Sequence, residues 1–405
     1  MDAIFGGEHF RNEIIWKRTS GHSDATRFGR VHDVLLYYSK GDAFTWNPIT
    51  QPYEPQYVEQ YYRYTDPDGR RWMSADLGAA GLQGGGYDYE WKGVRRTWRC
   101  PEQTMERYEN EGRIFYTRNG IPRLKRYLDE AKGLPAQDVW TDVEALRSWH
   151  EEKLGYPTQK PEALLERIIG TCTMPGDTVL DPFCGCGTTI SAAQRLGRRW
   201  VGIDITHLAI NLIRSRLSDA FPSGLDYRVV GEPEDLHGAE TLAKSDRYQF
   251  QWWALGKVGA RAVQEERKKG ADSGIDGKLF FREKENGPVK LMVLQVKSGG
   301  LKLGEVRDFA HVIEREKAQV GVLLTLDEPT REMRAEAGGL GFYKPEYRLD
   351  PTAKYDRYQI LTIRELFEGK HPQYPPFRNV TFKAAPPARV LPKGPKVRTK
   401  RLPET

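Results

Sequence analysis

The sequence predicts an α/β protein of two folded blocks closed by a basic, proline-rich tail, and three observations carry that expectation. The stretch "VLDPFCGCGTTISAAQRLGRRWVGIDI", residues 179–205, reads as a strand, a glycine-rich turn, a helix and a second strand ending in an acid. A later block, residues 245–369, contains "KLFFREKENGPVKLMVLQVKSGG", in which "ENGP" turns a hairpin about Asn286-Gly287. The tail, residues 371–405, carries eight Lys and Arg against Glu404 alone.

At 405 residues the chain has room for two or three domains. With 29% charged and 39% hydrophobic residues it reads as a soluble globular protein with a core to bury. The start "MDAIFGGEHF" lacks a signal-peptide pattern, and no run approaches the ~18 apolar residues that span a membrane. The four cysteines, Cys100, Cys172, Cys184 and Cys186, form no disulfide or zinc framework, so the expected compartment is a reducing cytoplasm. Of the net charge of +6, the tail holds +7 and the remaining residues about −1. Its prolines predict disorder, either as a solubilising terminus or as a salt-sensitive tether to a phosphate backbone.

In chain order, residues 12–18 ("NEIIWKR") and 32–40 ("HDVLLYYSK") read as strands. Residues 41–150 hold six of the ten Trp and ten of the twenty Tyr, broken by turn signals and interleaved with Arg and Lys. Such a texture suits either a surface that tracks nucleic acid or a small domain with an aromatic core. A helix over 161–173 and a turn at "MPGD" lead into the glycine loop, and the acidic linker "GEPEDLHGAE" precedes the last block.

In "DPFCGCGTT" the strand ends at Asp181, and Gly185 and Gly187 let the backbone approach a ligand where a Cβ would clash. Thr188 and Thr189 open a helix whose free N–H groups favour a negatively charged group. Asp204 closes the next strand, where a βαβ unit places an acid on ribose hydroxyls. The spacing is not G-x-G-x-x-G, which argues against an ordinary nicotinamide site. Cys184 and Cys186 read as small loop residues and His207 as a helix-start residue.

This loop, preceded by "YPTQKPEALLERII" and followed by "GRRWVGIDI", resembles the S-adenosylmethionine site of the permuted (β-class) DNA amino-methyltransferases. The resemblance covers roughly residues 1–230 and implies a Rossmann-like sheet. It divides the chain into a partial catalytic half (1–40), a target-recognition insert (41–150) and a cofactor half (151–232). It implies that Phe183, Gly185 and Gly187 embrace the methionine end of the cofactor, that Asp204 takes the ribose, that Thr158, Gln159 and Lys160 help hold the carboxylate, and that Asp181 and Thr188 complete the cofactor-binding set. The family also uses a D/N/S-P-P-Y/F/W tetrapeptide to hold a flipped base. None occurs here: "DPFC" belongs to the cofactor loop, "NPIT" at Asn47 lacks the second proline and the aromatic, and "YPPF" at Tyr374 begins with the wrong residue. The expectation is an N-terminally truncated or wrongly started methyltransferase with an incomplete sheet, "MDAIFG" being the last turn of a helix. Alone, such a chain binds S-adenosylmethionine weakly at best and transfers no methyl group.

In the last block, pairing about Asn286-Gly287 places Asp276 opposite Lys297, with Gln295 on the same face. An acid, an amide and a lysine would then converge, although a charged solvent face explains the same residues. "GADSGIDG", "VLQVKSG" and "VRDFAHVIEREKAQVGVLLTL" resemble the Mrr-like restriction endonucleases, a branch of the PD-(D/E)xK fold. That resemblance implies that Asp276 and Gln295 hold Mg²⁺ and that Lys297 orients or activates the attacking water. Gln251 stands where related sequences often place a Glu. The combined reading is a DNA methyltransferase (N6-adenine or N4-cytosine) of a restriction–modification system, acting on double-stranded DNA and fused to a nuclease-like domain. The alternatives are a Mg²⁺-dependent endonuclease that uses the methyltransferase remnant for recognition, and a non-catalytic DNA-binding protein.

Overall fold

The computed structural model describes residues 1–19, 21, 26, 28–80, 85–147, 149–263, 274–347, 352–375 and 378–381. The chain divides into two compact units, Met1–Asp142 and Val143–Pro403. No helix among the described residues is long and apolar enough to cross a membrane.

In the first unit a short helix, Asp2–Phe5, leads into strand Phe10–Lys17, which pairs antiparallel with His32–Tyr38 and parallel with Val139–Trp140. The intervening region builds a four-stranded antiparallel sheet in the order Tyr64–Thr65, Arg71–Asp76, Pro122–Tyr127, Ile114–Tyr116. A separate hairpin pairs Tyr87–Trp91 with Val94–Trp98 through Lys92 and Gly93. Both turn residues have positive φ, as a type I′ hairpin turn requires. Trp98, Met105, Leu77 and Trp91 form a core beneath it. Four of the six tryptophans of residues 41–150 are buried, so much of the aromatic content is core, while Trp46, Tyr61, Tyr87 and Trp149 stay exposed.

The second unit opens with helix Glu162–Cys172 and then strand Thr178–Asp181, helix Thr188–Arg195, and strand Arg199–Gly202, whose two strands pair in parallel. Helix His207–Ala220 follows, started by Thr206, whose hydroxyl accepts from Ala209 N.

The C-terminal sheet runs Arg261–Ala262, Gly277–Arg282, Lys290–Lys297, Val320–Thr325, Tyr358–Thr362. The first two pairings are antiparallel and the last two parallel. Val320, Val322 and Leu324 pack with Phe250, Trp253 and Phe281 in one cluster, and Leu323 and Val293 pack with Phe309 and Ile313 in another. Helices thus cover both faces, the condition under which parallel strands can be apolar throughout.

Three expectations are corrected here. Helix Leu236–Ser245 lies in the stretch expected as a linker and sets Ala239 and Ala243 into the C-terminal core. The expected disordered tail is folded over 371–375 and 378–381: Tyr374 packs on Phe281 at 5.2 Å between ring centres, and Arg378–Asn379 pairs with strand Gly277–Arg282. The rest of the tail lies outside the described residues. Finally, Gly277 pairs with Leu294 rather than Val296. The turn about Asn286 and Gly287 forms, but the strands begin only at Arg282 and Lys290, and Pro288 offers no N–H to extend the ladder inward.

Candidate cofactor and nuclease sites

The glycine turn is held by backbone geometry. Gly187 has φ of +74°, and a Cβ there would lie 2.8 Å from Ile213 Cγ1; Gly185 has φ of +51°, with Tyr156 3.0 Å from the equivalent point. Both positions therefore demand glycine for conformation and for space. Asp204 reaches back from the end of the second strand: Gly185 N–H donates to Oδ2 at 3.0 Å, and Thr206 N–H and Oγ1 each donate to Oδ1 at 2.9 Å. Asp181 Oδ1 accepts from Phe183 N–H at 3.1 Å, and the Phe183 ring is 86% exposed. The two acids thus shape the turn, while the Phe183 ring remains available to a ligand.

Arg216 braces the turn from within. It is 2% exposed; Nη1 donates to Thr188 Oγ1 at 3.1 Å and Nη2 to Glu162 Oε1 at 2.9 Å. Glu162 also pairs with Arg195 at 2.6 Å, so the buried charge is compensated from two sides. Sequence reasoning missed both residues. The signal was a charged residue on the apolar face of its helix, beside Ile213, Leu217 and Ala220.

Of the residues that family resemblance assigns to the cofactor carboxylate, Thr158 is exposed and Lys160 half-buried. Gln159 spends its amide locally, accepting from Leu154 N–H at 2.8 Å and donating to Glu152 O at 2.7 Å. It braces the preceding loop, a positioning part not visible in the sequence. Burial, reinforced by Asp204 and Asp181, pushes the Cys184 thiol up to about 12, and burial also raises Cys186. Neither is a thiolate at neutral pH. Among the described residues no group of three or more His, Cys, Asp or Glu could hold a metal ion. Burial likewise lowers the pKa of His207, whose backbone N–H donates to Gln249 Oε1 at 2.9 Å.

In the C-terminal block the expected acid, amide and lysine lie along adjoining strand ends. Asp276 Oδ1 accepts from Gln251 Nε2 at 2.9 Å and Oδ2 from Val296 N–H at 2.7 Å. Gln295 Nε2 donates to Gly274 O at 3.3 Å, whereas its Oε1 is buried without a hydrogen-bond partner among the described residues. Lys297 Nζ pairs with Glu305 Oε1 at 2.7 Å, and the second oxygen of Glu305 accepts from Lys302 N–H at 2.9 Å. Burial works against the Glu305 charge, but the Lys297 and Lys302 hydrogen bonds hold its carboxyl below the usual range. Glu305, on helix Leu303–Arg315, was not anticipated: it fixes the direction of Lys297 from outside the strand pair.

A family model described as DNA methylase matches residues 1–215, more than half of the chain, and one described as restriction endonuclease matches residues 248–341. The chain is 33% identical over 227 residues to the type II methyltransferase M.EcaI of Enterobacter cloacae, an alignment covering 54% of this chain and 49% of that protein. It is 45% identical over 96 residues to the type II methyltransferase M2.DpnII of Streptococcus pneumoniae, covering 23% and 34%. The chain thus spans about half the length, or less, of the curated relatives it matches. Among solved structures, TTHA0409 of Thermus thermophilus, complexed with S-adenosyl-L-methionine, is 17% identical, with a TM-score of 0.26 and coverage of 54% of this chain and 59% of that one.

Proposed function

The chain belongs to the DNA methylase family, and on that premise we propose that its glycine turn takes S-adenosylmethionine in a DNA amino-methyltransferase of the restriction–modification type, acting on adenine N6 or cytosine N4 of double-stranded DNA. The observation that carries this reading is the turn itself: two glycines with positive φ, an acid at the end of the next strand, and an exposed aromatic ring beside them. When bound, S-adenosylmethionine supplies an activated methyl group. The residues present fit it: Phe183 offers a face to its methionine end, Thr188 opens a helix N-terminus, and Asp204 retains acceptor capacity for a ribose hydroxyl beyond the N–H groups it already accepts. Thr158 and Lys160 contribute to the carboxylate end, with Gln159 holding their loop.

The sequence contains no D/N/S-P-P-Y/F/W tetrapeptide, so these residues supply cofactor binding and no base pocket. Incubation with labelled S-adenosylmethionine and plasmid DNA tests this. The full chain should retain label weakly, lose it in Asp204→Ala, and transfer none to DNA. Equal retention by wild type and variant contradicts the reading.

A second reading is favoured by one observation: Gln295 Oε1 is a buried acceptor with no partner among the described residues, on the strand beside Asp276. A Mg²⁺ ion bound through one carboxylate, one amide oxygen and several waters suits that donor set. Lys297, directed by Glu305, would then orient the attacking water in DNA cleavage. Mg²⁺-dependent nicking of supercoiled plasmid should disappear in Asp276→Ala and Lys297→Ala; nicking that survives in both rules this block out as its source.

A further inference from the structure

We propose that a tyrosine-lined cavity in the first unit takes an unstacked nucleotide, its base against the tyrosine rings and its phosphate at Arg126. This rests on reading residues 41–150 as a DNA-recognition region. The cavity has a volume of about 450 Å³, and its walls include Tyr53, Tyr57, Tyr62, Tyr108 and Tyr127. That is within the range of ligand pockets.

The rings are arranged for stacking. Tyr53 and Tyr57 lie nearly parallel, 5.0 Å apart and tilted by 6°. Tyr57 meets Tyr61 at 4.5 Å, and Tyr61 is 43% exposed, so the rings form a ladder from the cavity to solvent. Helix Pro55–Tyr61 places Tyr57 and Tyr61 four residues apart, on one face. Every base has a π-face, so such a ladder accepts a base without reading its edge.

The polar groups select an anion. The acid of this wall, Glu130, is spent, accepting from Arg70 at 2.7 Å and pairing with Arg113, and behind the wall Asp66 accepts from Lys125 at 2.9 Å and from Tyr127 at 2.6 Å. Arg126 is exposed and has no carboxylate partner among the described residues. Arg113 Nε is buried without a hydrogen-bond partner among them. An unspent donor and an unpaired guanidinium beside aromatic faces disfavour a cationic ligand. A purely apolar ligand would leave the buried donor unsatisfied. A nucleotide satisfies both, whether free or part of a DNA strand.

Photo-crosslinking separates those sources and tests the site. The full chain is irradiated with 5-iodo-deoxyuridine monophosphate, and separately with an oligonucleotide carrying 5-iodouracil in a single-stranded segment, and crosslinked peptides are mapped. Crosslinks at Tyr53, Tyr57 or Tyr62 are expected with the oligonucleotide. Tyr57→Leu and Arg126→Gln should each weaken oligonucleotide binding about tenfold, the scale of one stacked base or one phosphate contact. Arg126→Gln lies on an exposed strand position and guards against misfolding of the first variant. Crosslinks with the mononucleotide alone would make this a free-nucleotide site and overturn the strand assignment. Crosslinks mapping elsewhere, with both variants binding as wild type, overturn the cavity while the recognition reading stands. Neither oligonucleotide binding nor a mononucleotide crosslink in the folded chain overturns both.

Discussion

Strand Val320–Thr325 is buried at all six residues, whereas strand Thr178–Asp181 leaves Leu180 60% exposed and its parallel partner leaves Val201 49% exposed. Both strands carry Val and Leu at their centres and both pair in parallel, so strand propensity there does not distinguish them. What differs is coverage. The first sits mid-sheet with helix-borne side chains on both faces; the second belongs to a two-stranded sheet whose packing, through Ile190, Ala192 and Ile213, comes from the helix side. The difference places the core closed on both faces in the C-terminal sheet, while the glycine turn is held by a one-sided apolar cluster of Cys184, Ile190, Ile213 and Leu217 together with the buried Arg216–Glu162 ion pair.

The sharpest way to break that comparison is truncation in each sheet. Phe309→Ala, in the buried C-terminal cluster, should cost about 3–5 kcal/mol in urea unfolding, against under about 1 kcal/mol for Leu180→Ala. Equal costs would end the distinction. Next in size is Arg216→Leu, which strands part of the Glu162 charge; a loss of about 2–4 kcal/mol is expected, less than for an isolated pair because Arg195 still faces Glu162. Limited proteolysis should then open the glycine turn before the C-terminal sheet.

A smaller effect is expected from pH. His207 is held neutral by burial, its folded pKa below the unfolded value of about 6.5. On lowering the pH the unfolded chain takes up a proton first, so stability is full above about pH 6.5 and falls as the pH drops toward the folded pKa. The urea midpoint should decline from pH 7.5 to 5.5, and less steeply in His207→Gln. The smallest effect concerns chemistry: with its thiol near 12, Cys184 should resist iodoacetamide at pH 8 in the native chain and react once urea is added.

The features legible in the sequence are those in which backbone geometry dictates residue type. Gly185, Gly187 and Asp204 could be read because a tight turn beside a strand-end acid admits few alternatives. Asp276, Gln295 and Lys297 were legible as a pattern, but their register was not, because a wide turn lets the strands slide by two residues. Arg216 and Glu305 act on the sites from other helices, and no local spacing marks partners brought together only by packing. The folded start of the tail escaped notice for the opposite reason: composition predicts disorder, and Tyr374 overrides it by docking on Phe281.

The central claim, that the glycine turn is an S-adenosylmethionine site, is tested most directly by calorimetric titration of the full chain with S-adenosylmethionine. One weak, saturable site is predicted, competed by S-adenosylhomocysteine and weakened about tenfold or more in both Asp204→Asn and Gly187→Ala. Absence of binding by folded wild type, or undiminished binding in both variants, would contradict it.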